Sequence, residues 1–346
     1  MQNESILANK TIVVTGGTGS FGKTLVKQLL NTDVAKIKIF SRDENKQDAM
    51  RNELLSDKLE FYIGDIREYS SLNRCLAGAE YVFHAAALKQ VPSCEYFPFE
   101  AVKTNIIGSQ HVLEASMKNG ISNVVMLSTD KAVMPINAMG ISKAMMEKLT
   151  FTFGFNFNNM VKTIYNVTRY GNVMGSRGSV IPIFISKMMN NQEILVTDPE
   201  MTRFMMSLEE SVNLVLFALK NGRQGELFVQ KAPSASIETL IAALESILNV
   251  KAKIKLIGYR HGEKKHEALL SSEEASRSED LGNYFRVKPD IRDLNYNVST
   301  GNIANNNGIE FNSENSVILN VQELEKLLLK QDFVINLLND NLSKIN

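Results

Sequence analysis

Cysteine is nearly missing: the 346 residues carry two, Cys75 and Cys94, and neither stands in a CxxC or Cys/His spacing. That excludes a disulfide framework and a thiolate metal site, and it is the usage expected of free thiols in a reducing cytoplasm. The four histidines, His84, His111, His261 and His266, form no ligand constellation, so no metal is expected. No charge excess exists either, since 38 Lys+Arg balance 38 Asp+Glu. A nucleic-acid partner needs a basic face to neutralise phosphates, so none is expected; a local basic cluster around a small anion is still allowed. No apolar run approaches the about 20 residues of a bilayer span, so no membrane insertion is expected. The longest, residues 212–219, is interrupted by Asn213. The first ten residues lack a basic stretch followed by an apolar one, which predicts no signal peptide and a cytoplasmic location. Asn297-Val298-Ser299 fits a glycosylation sequon that means nothing without secretion. Repeats, low-complexity tracts and long linkers are absent as well.

What the chain does have is alternation. Short β-rich runs at 11–15, 37–41, 59–64, 81–85, 123–128 and 163–169 are separated by amphipathic stretches at 21–31, 47–54, 69–76, 99–119 and 142–153. Apolar strands alternating with helices predict a parallel sheet covered on both faces, and right-handed crossovers make it a doubly wound Rossmann-type α/β domain. After about residue 172 the pattern changes to helices at 181–190, 207–220, 237–248 and 321–329 with short strands at 226–230 and 253–257. The reading is a Rossmann domain over 1–172, to which part of the later chain returns, and a smaller α/β substrate-binding domain over 173–346. Residues 295–320, rich in Asn, Ser and Gly, are expected to form an extended or hairpin segment that packs late or against a neighbouring subunit. A ligand site is expected between the two domains.

Gly16, Gly19 and Gly22 have GxxGxxG spacing directly after the first apolar run and open the first helix near Phe21. That context makes the motif a dinucleotide site: tight turn, close backbone approach to a pyrophosphate, and unpaired N–H groups at a helix N-terminus. The second strand ends in Ser41-Arg42 and acid arrives only at Asp43. A hydroxyl beside a guanidinium suits a ribose 2′-phosphate, so the expected cofactor is NADP; the alternative is that Arg42 is a solvated surface charge. Asp65, after the third strand, is placed to accept from an adenine amine, and Ala85 and Ala86 offer small residues where the cofactor backbone passes.

Ser128-Thr129-Asp130-Lys131 ends the fifth strand, where open α/β sheets place ligands, and Met139 and Lys143 stand at i and i+4 of the following helix, on one face. Here the chain resembles the extended short-chain dehydrogenase/reductases that act on nucleotide sugars. Within them it is similar to the inverting UDP-N-acetylglucosamine 4,6-dehydratases (5-epimerising) of capsular polysaccharide biosynthesis. The resemblance rests on TGGTGSFG (15–22), FHAAALKQVPSCE (83–95), LSTDKA (127–132), PINAMGISKAMMEK (135–148), TRYGNVMGSRGSVIP (168–182), TDPEMTRFMMS (197–207) and GYRHGEKKHE (258–267), which run in order along nearly the whole chain.

The resemblance implies a hydro-lyase that oxidises the sugar at C4, eliminates water across C5–C6, returns the hydride to C6 and reprotonates C5, retaining and recycling NADP. The product implied is UDP-2-acetamido-2,6-dideoxy-β-L-arabino-hex-4-ulose, for bacterial surface polysaccharide (L-FucNAc). Lys131 is implied as the C5 base, Asp130 as the acid for the departing hydroxyl, and Lys143 as the ribose-binding lysine. A neutral lysine is a competent base where burial and the cationic nicotinamide depress its pKa. Met139 replaces the tyrosine acid/base of the wider superfamily; a thioether moves no proton, which leaves Lys143, Lys131, Thr129 through water, or the substrate's own phosphate for the 4-hydroxyl proton. The members it resembles share that methionine.

Cofactor contacts implied besides the glycines are Ser20, Phe21, Ser41, Arg42, Asp65, Ile66, Ala85, Ala86, Lys89, Asn105 and Lys143. Arg203 and Arg260 are implied for the UDP pyrophosphate, Asn172, Ser179 and Val180 for polar and backbone donors, Glu263 for the uridine ribose, and Lys89 near the sugar. A homo-oligomer, hexamers included, is implied too. The rival activities are a C5-retaining dehydratase and a UDP-sugar 4-epimerase. A rival of another class is a non-catalytic NADP-binding regulator, which only Met139 supports.

Overall fold

Valine and isoleucine alternate between two faces along the first apolar run: Ile12 and Val14 point to one side of a sheet and Val13 to the other, as the two-residue strand period requires. The structure is a computed structural model that describes residues 6–156, 162–176, 178–290 and 308–345. Strand β1 (Thr11–Thr15) leads to α1 (Ser20–Leu30), β2 (Lys36–Ser41), α2 (Glu44–Leu54), β3 (Leu59–Ile63), α3 (Tyr69–Leu76) and β4 (Tyr81–His84). Then come α4 (Val91–Tyr96), α5 (Pro98–Ala101), a π-helical turn Val102–Ile107, α6 (Gly108–Lys118), β5 (Asn123–Leu127), a 3₁₀ turn Asp130–Ala132, α7 (Ala138–Asn156) and β6 (Ile164–Arg169). The later chain forms α8 (Val180–Met189), β7 (Glu193–Val196), β8 (Thr202–Phe204), α9 (Leu208–Asn221), β9 (Leu227–Gln230), β10 (Ser234–Ser236), α10 (Ile237–Leu248) and β11 (Lys253–Leu256). It ends in β12 (Ala268–Leu270), α11 (Ser272–Ser276), β13 (Ser278–Asp280), β14 (Tyr284–Val287), β15 (Phe311–Asn312), α12 (Val321–Leu328) and α13 (Asp332–Ile345).

The main sheet has the order β3-β2-β1-β4-β5-β6-β9-β14-β13. Its first seven strands are parallel, and β14 and β13 add an antiparallel edge. This is the Rossmann-type parallel sheet expected from the alternation. Its order reverses between β1 and β4, which opens a crevice at the carboxyl ends of the strands. Helices α3, α6 and α7 bury Leu72, Val112 and Met146 against one face, and α1 and α9 bury Leu25, Val26, Val212 and Val215 against the other. Residues beyond 173 thus supply a covering helix and three strands of this sheet. A third cluster, Met174, Ile181, Phe184, Ile194, Leu240, Leu244, Leu324 and Val334 among its members, forms from the later chain alone.

Two expectations need correction or limits. The single helix expected over 99–119 is broken into α5, the π turn and α6. The wide turn places both Thr104 and Asn105 in the interior, which an uninterrupted 3.6-residue period does not favour. Of the segment expected to be extended over 295–320, residues 295–307 lie outside the described residues; within the rest, β15 pairs antiparallel with β12.

Helix α7 is tied to the sheet by a charge. Arg169, at the end of β6 and only 2 % exposed, donates to both Glu147 carboxylate oxygens (3.0 and 2.6 Å), both Glu274 oxygens (2.9 Å each) and the Leu269 carbonyl (2.9 Å). Burial opposes the Glu274 charge, but the guanidinium beside it holds that carboxyl down to about 2. The arginine therefore joins α7, β6, β12 and α11. Replacing it leaves buried Glu147 and partly buried Glu274 without a counter-charge, so Arg169→Met is expected to lower unfolding stability by about 3–5 kcal/mol. Urea denaturation at pH 7 measures this; a change under about 1 kcal/mol removes the clamp from the account.

Candidate active site

A cavity of about 1070 Å³ opens at the crevice. It is lined from the carboxyl ends of β1, β2, β4, β5 and β6, from the start of α7, and from the later chain at Ser179, Arg203, Arg260 and Glu267. It collects Gly16, Gly19, Ser20, Phe21, Gly22, Ser41, Arg42, Asp65, Ile66, Ala85, Ala86 and Lys89 along one part of its wall. Thr129, Asp130, Lys131, Met139, Lys143, Asn172, Ser179, Arg203, Arg260 and Glu263 line the rest. Of the candidate site residues it leaves out Asn105 and Val180.

Asn105 is fully buried and occupied elsewhere. Its side chain accepts from the Leu88 N–H (2.8 Å) and donates to the Leu88 carbonyl (3.0 Å) and Ser142 Oγ (2.9 Å). It holds the loop after β4 rather than facing the cavity, because the π turn rotates it inward. Val180 begins α8, and it is its neighbour Ser179 that faces the cavity.

The dinucleotide end fits its expected occupant. Gly16 has φ +68°, and a Cβ there would lie 2.8 Å from the Ala86 backbone nitrogen, so β1 and β4 meet at a distance that only glycine permits. Helix α1 begins at Gly19 with no side-chain cap, leaving its first N–H groups for an anion. Asp65 is more occupied than the sequence indicates. Arg67, which the sequence reading did not single out, donates to it from Nε (2.9 Å), Nη2 (2.6 Å) and its backbone N–H (2.9 Å), and Arg42 pairs with it at 3.3 Å. Burial pushes the Asp65 carboxyl up, and the Arg67 bonds outweigh it, so the group stays below the usual carboxylate range.

Beneath this wall His84 Nδ1 meets Thr15 Oγ1 at 2.8 Å and Nε2 meets Ser109 Oγ at 3.1 Å. The Ser109 hydroxyl donates to the Asn105 carbonyl, so it accepts from Nε2–H and leaves Nδ1 as an acceptor for Thr15. The imidazole is neutral, with both nitrogens satisfied.

At the other end the Asp130–Ala132 turn packs against α7. A Cβ on Gly140 would stand 2.2 Å from the Lys131 carbonyl oxygen, so glycine sets the approach. Thr129 Oγ1 (2.7 Å) and Lys131 Nζ (3.1 Å) both donate to Asp130 Oδ1. On its far side Lys131 Nζ lies 3.4 Å from Glu267 Oε1. Burial pulls the Lys131 amine down, yet Asp130 and Glu267 together outweigh it, against Arg203, and hold it above the usual lysine value. Two carboxylates thus offset burial at this amine in the ligand-free site; the expectation of a neutral base joined burial to the charge of a bound nicotinamide. Lys143 is the depressed lysine. Burial pushes it down to about 8, with Glu147 pulling the other way, and its Nζ donates to the Leu127 carbonyl at 2.6 Å.

Met139 is buried among Leu88, Val91, Cys94 and Ala101. The cavity is unusually rich in unanswered polar groups. Ser128 Oγ, Asp130 Oδ2, Ser179 Oγ, Glu263 Oε2 and Glu267 Oε2 are all buried side-chain atoms without a hydrogen-bond partner, and all five residues line it. Such atoms cost stability unless a polar ligand satisfies them. Among the described residues no group of three or more His, Cys, Asp or Glu could hold a metal, and no helix is long and apolar enough to cross a membrane. Glu267 was missed in the sequence. Its motif, GYRHGEKKHE, was visible, but nothing in the local spacing ties residue 267 to residue 131.

Residues 12–289 match the family model described as polysaccharide biosynthesis protein, and residues 290–334 the one described as polysaccharide biosynthesis protein C-terminal. A protein of Rickettsia bellii (strain RML369-C) named UDP-glucose 4-epimerase is 51 % identical over 335 residues, covering 95 % of this chain and 98 % of its own length. The structure of Pen from Bacillus thuringiensis aligns with a TM-score of 0.86 at 34 % identity, over 94 % of this chain and 99 % of that one. DesIV, a dTDP-glucose 4,6-dehydratase from Streptomyces venezuelae solved with NAD and TYD bound, aligns at 0.66 and 20 % identity, over 73 % and 86 % of the two chains. That last likeness shows the fold alone.

Burial, with a contribution from Lys143, pushes His84 from 6.5 down to about 3. Its folded pKa is below its unfolded one, so its contribution is present above about pH 6.5 and is lost as the pH falls toward 3, by about 1.4 kcal/mol per pH unit inside that window. Urea midpoints from pH 7 to 4 are expected to fall more steeply for the native chain than for His84→Asn; parallel slopes overturn the assignment.

Proposed function

The chain belongs to the polysaccharide biosynthesis protein family, and from that membership we propose that it is a UDP-N-acetylglucosamine 4,6-dehydratase that inverts C5 and uses NADP. The observation that carries this reading is the Asp130–Lys131 pair beside a dinucleotide cradle in one cavity. A 4-epimerase has only to oxidise and re-reduce C4; a dehydratase also needs a base for C5 and an acid for C6, side by side.

Gly16, Gly19 and Ser20 would hold the pyrophosphate of the cofactor, Ser41 and Arg42 its 2′-phosphate, and Lys143 its nicotinamide ribose. The nicotinamide supplies reversible hydride transfer, from C4 first and to C6 last. The remaining steps belong to this chain. The proton on Lys131 moves along the 3.1 Å contact to Asp130, which leaves an amine beside a carboxylic acid. The amine takes the C5 proton, the C5–C6 double bond forms, the C6–O bond breaks, and Asp130 gives its proton to the hydroxyl that leaves as water. Charges then stand as they began. Arg203 and Arg260 would neutralise the substrate diphosphate, with the unpartnered Ser179 and Glu263 oxygens meeting polar groups of the nucleotide. Lys143, pushed down to about 8, is the group available for the 4-hydroxyl proton that buried Met139 cannot accept.

A second reading, epimerisation at C4 alone, is favoured by the name carried by relatives about half identical to this chain. Mass spectrometry of UDP-N-acetylglucosamine after incubation separates the two. Dehydration removes one water, and in D2O it places deuterium at C5, whereas epimerisation leaves the mass unchanged. Lys131→Ala is expected to lower turnover by ~10²-fold or more; unchanged turnover removes the base. Arg42→Asp is expected to weaken NADP binding by at least about tenfold while sparing NAD, read by calorimetry; equal losses for both return Arg42 to a surface role.

A further inference from the structure

Glu267 has no part in the reaction steps above beyond its charge beside Lys131, and the structure brings it to the reacting groups. Its carboxylate is one-twentieth exposed, faces Lys131 at 3.4 Å, and has an Oε2 that no donor satisfies. Its backbone is fixed from the C-terminal part of the chain: the Glu267 N–H donates to Ser313 Oγ (2.9 Å) and the Ser313 N–H to the Glu267 carbonyl (2.8 Å). Ser313 Oγ also lies 2.6 Å from Thr202 Oγ1, next to Arg203. So the element that carries a candidate phosphate ligand also sets the register of Glu267.

We propose that Glu267 is the positioning residue of the elimination site, the fixed anion that holds Lys131 against Asp130 and keeps the one shared proton on that pair. This rests on the reading of Lys131 and Asp130 as base and acid. Asp130 Oδ1 already accepts from Thr129 and Lys131, and the Asp130 charge disappears each time the proton crosses to it. Glu267 is the second carboxylate against Lys131 and takes no part in that exchange. It stabilises the ammonium that forms when Lys131 takes the C5 proton, and so makes that amine a stronger base. Cations oppose it. Arg203 acts against the ammonium directly, and Lys264, whose Nζ donates to the Val133 carbonyl (2.5 Å) and which faces Glu310, adds to that. Without Glu267, Asp130 is the one carboxylate among the described residues in an ion pair with Lys131.

On this reading the active form carries one proton between Asp130 and Lys131. Loss of that proton produces the descending alkaline limb of kcat against pH. Removing the neighbouring anion makes the proton leave more easily, so Glu267→Gln is expected to move this limb to lower pH. Glu267→Asp keeps the charge one methylene further back and is expected to move the limb the same way, by less. A second readout needs no turnover. In ligand-free protein the Lys131 amine, labelled by 13C reductive methylation and assigned by its loss in Lys131→Arg, titrates at lower pH in Glu267→Gln. A profile scaled down equally at every pH, with the Lys131 titration unmoved, overturns the proposal. Should Glu267→Gln not fold, Glu267→Asp carries the test, and an unmoved titration there overturns it as well. Failure of the native enzyme to remove water from UDP-N-acetylglucosamine sinks the dehydratase reading instead, and the ligand-free titration still judges Glu267.

Discussion

Everything chemical in this protein depends on how closely helix α7 can lie against the turn that follows β5. Gly140 sits on the Lys131 carbonyl, at a spacing any Cβ would violate, and Arg169 holds the helix there through Glu147. This brings two stretches of chain, one with Asp130 and Lys131 and one with Met139 and Lys143, into a single wall. The clamp continues through Glu274 and the Leu269 carbonyl within β12, the strand that follows Glu267. One buried guanidinium therefore orders α7 and the strand that brings Glu267 to Lys131.

Charge is the second theme. Two lysines lie at the site, and the structure separates them by surroundings rather than by type. Lys131 stands between carboxylates and keeps its proton; Lys143 is buried against a carbonyl and tends to lose it. Neighbouring titratable groups whose environments push them apart are the usual arrangement for acid–base chemistry near neutral pH. Five buried polar atoms around the cavity have no protein partner, and a buried oxygen without a donor is an uncompensated desolvation cost.

The strand runs, the glycine turn and its helix, and the placement of Ser128–Lys131 at a strand end could all be read along the chain. Each depends on interactions within a few residues: the two-residue strand period, the φ > 0 turn at Gly16, the i,i+4 relation of Met139 to Lys143. Where a local period met a tertiary demand it failed. The helix over 99–119 opens into a π turn because Asn105 has to reach Leu88. Asn105, implied as a cofactor contact, is spent on that loop for the same reason. Asp65 was visible as an acceptor, but Arg67 was not visible as its partner, because only the folded turn after β3 curls the guanidinium back onto the carboxylate.

By itself the sequence determined the class of sheet, the glycine turn that opens α1, and which residue types stand at the ends of its strands, because those follow from spacings shorter than one strand or one helical turn. The charge of Lys131, the place of Asn105 against the Leu88 loop and the arrival of Glu267 were decided only in three dimensions. A pKa and a counter-ion depend on distances between groups more than a hundred residues apart, and no local pattern encodes a distance of 3.4 Å between residues 131 and 267.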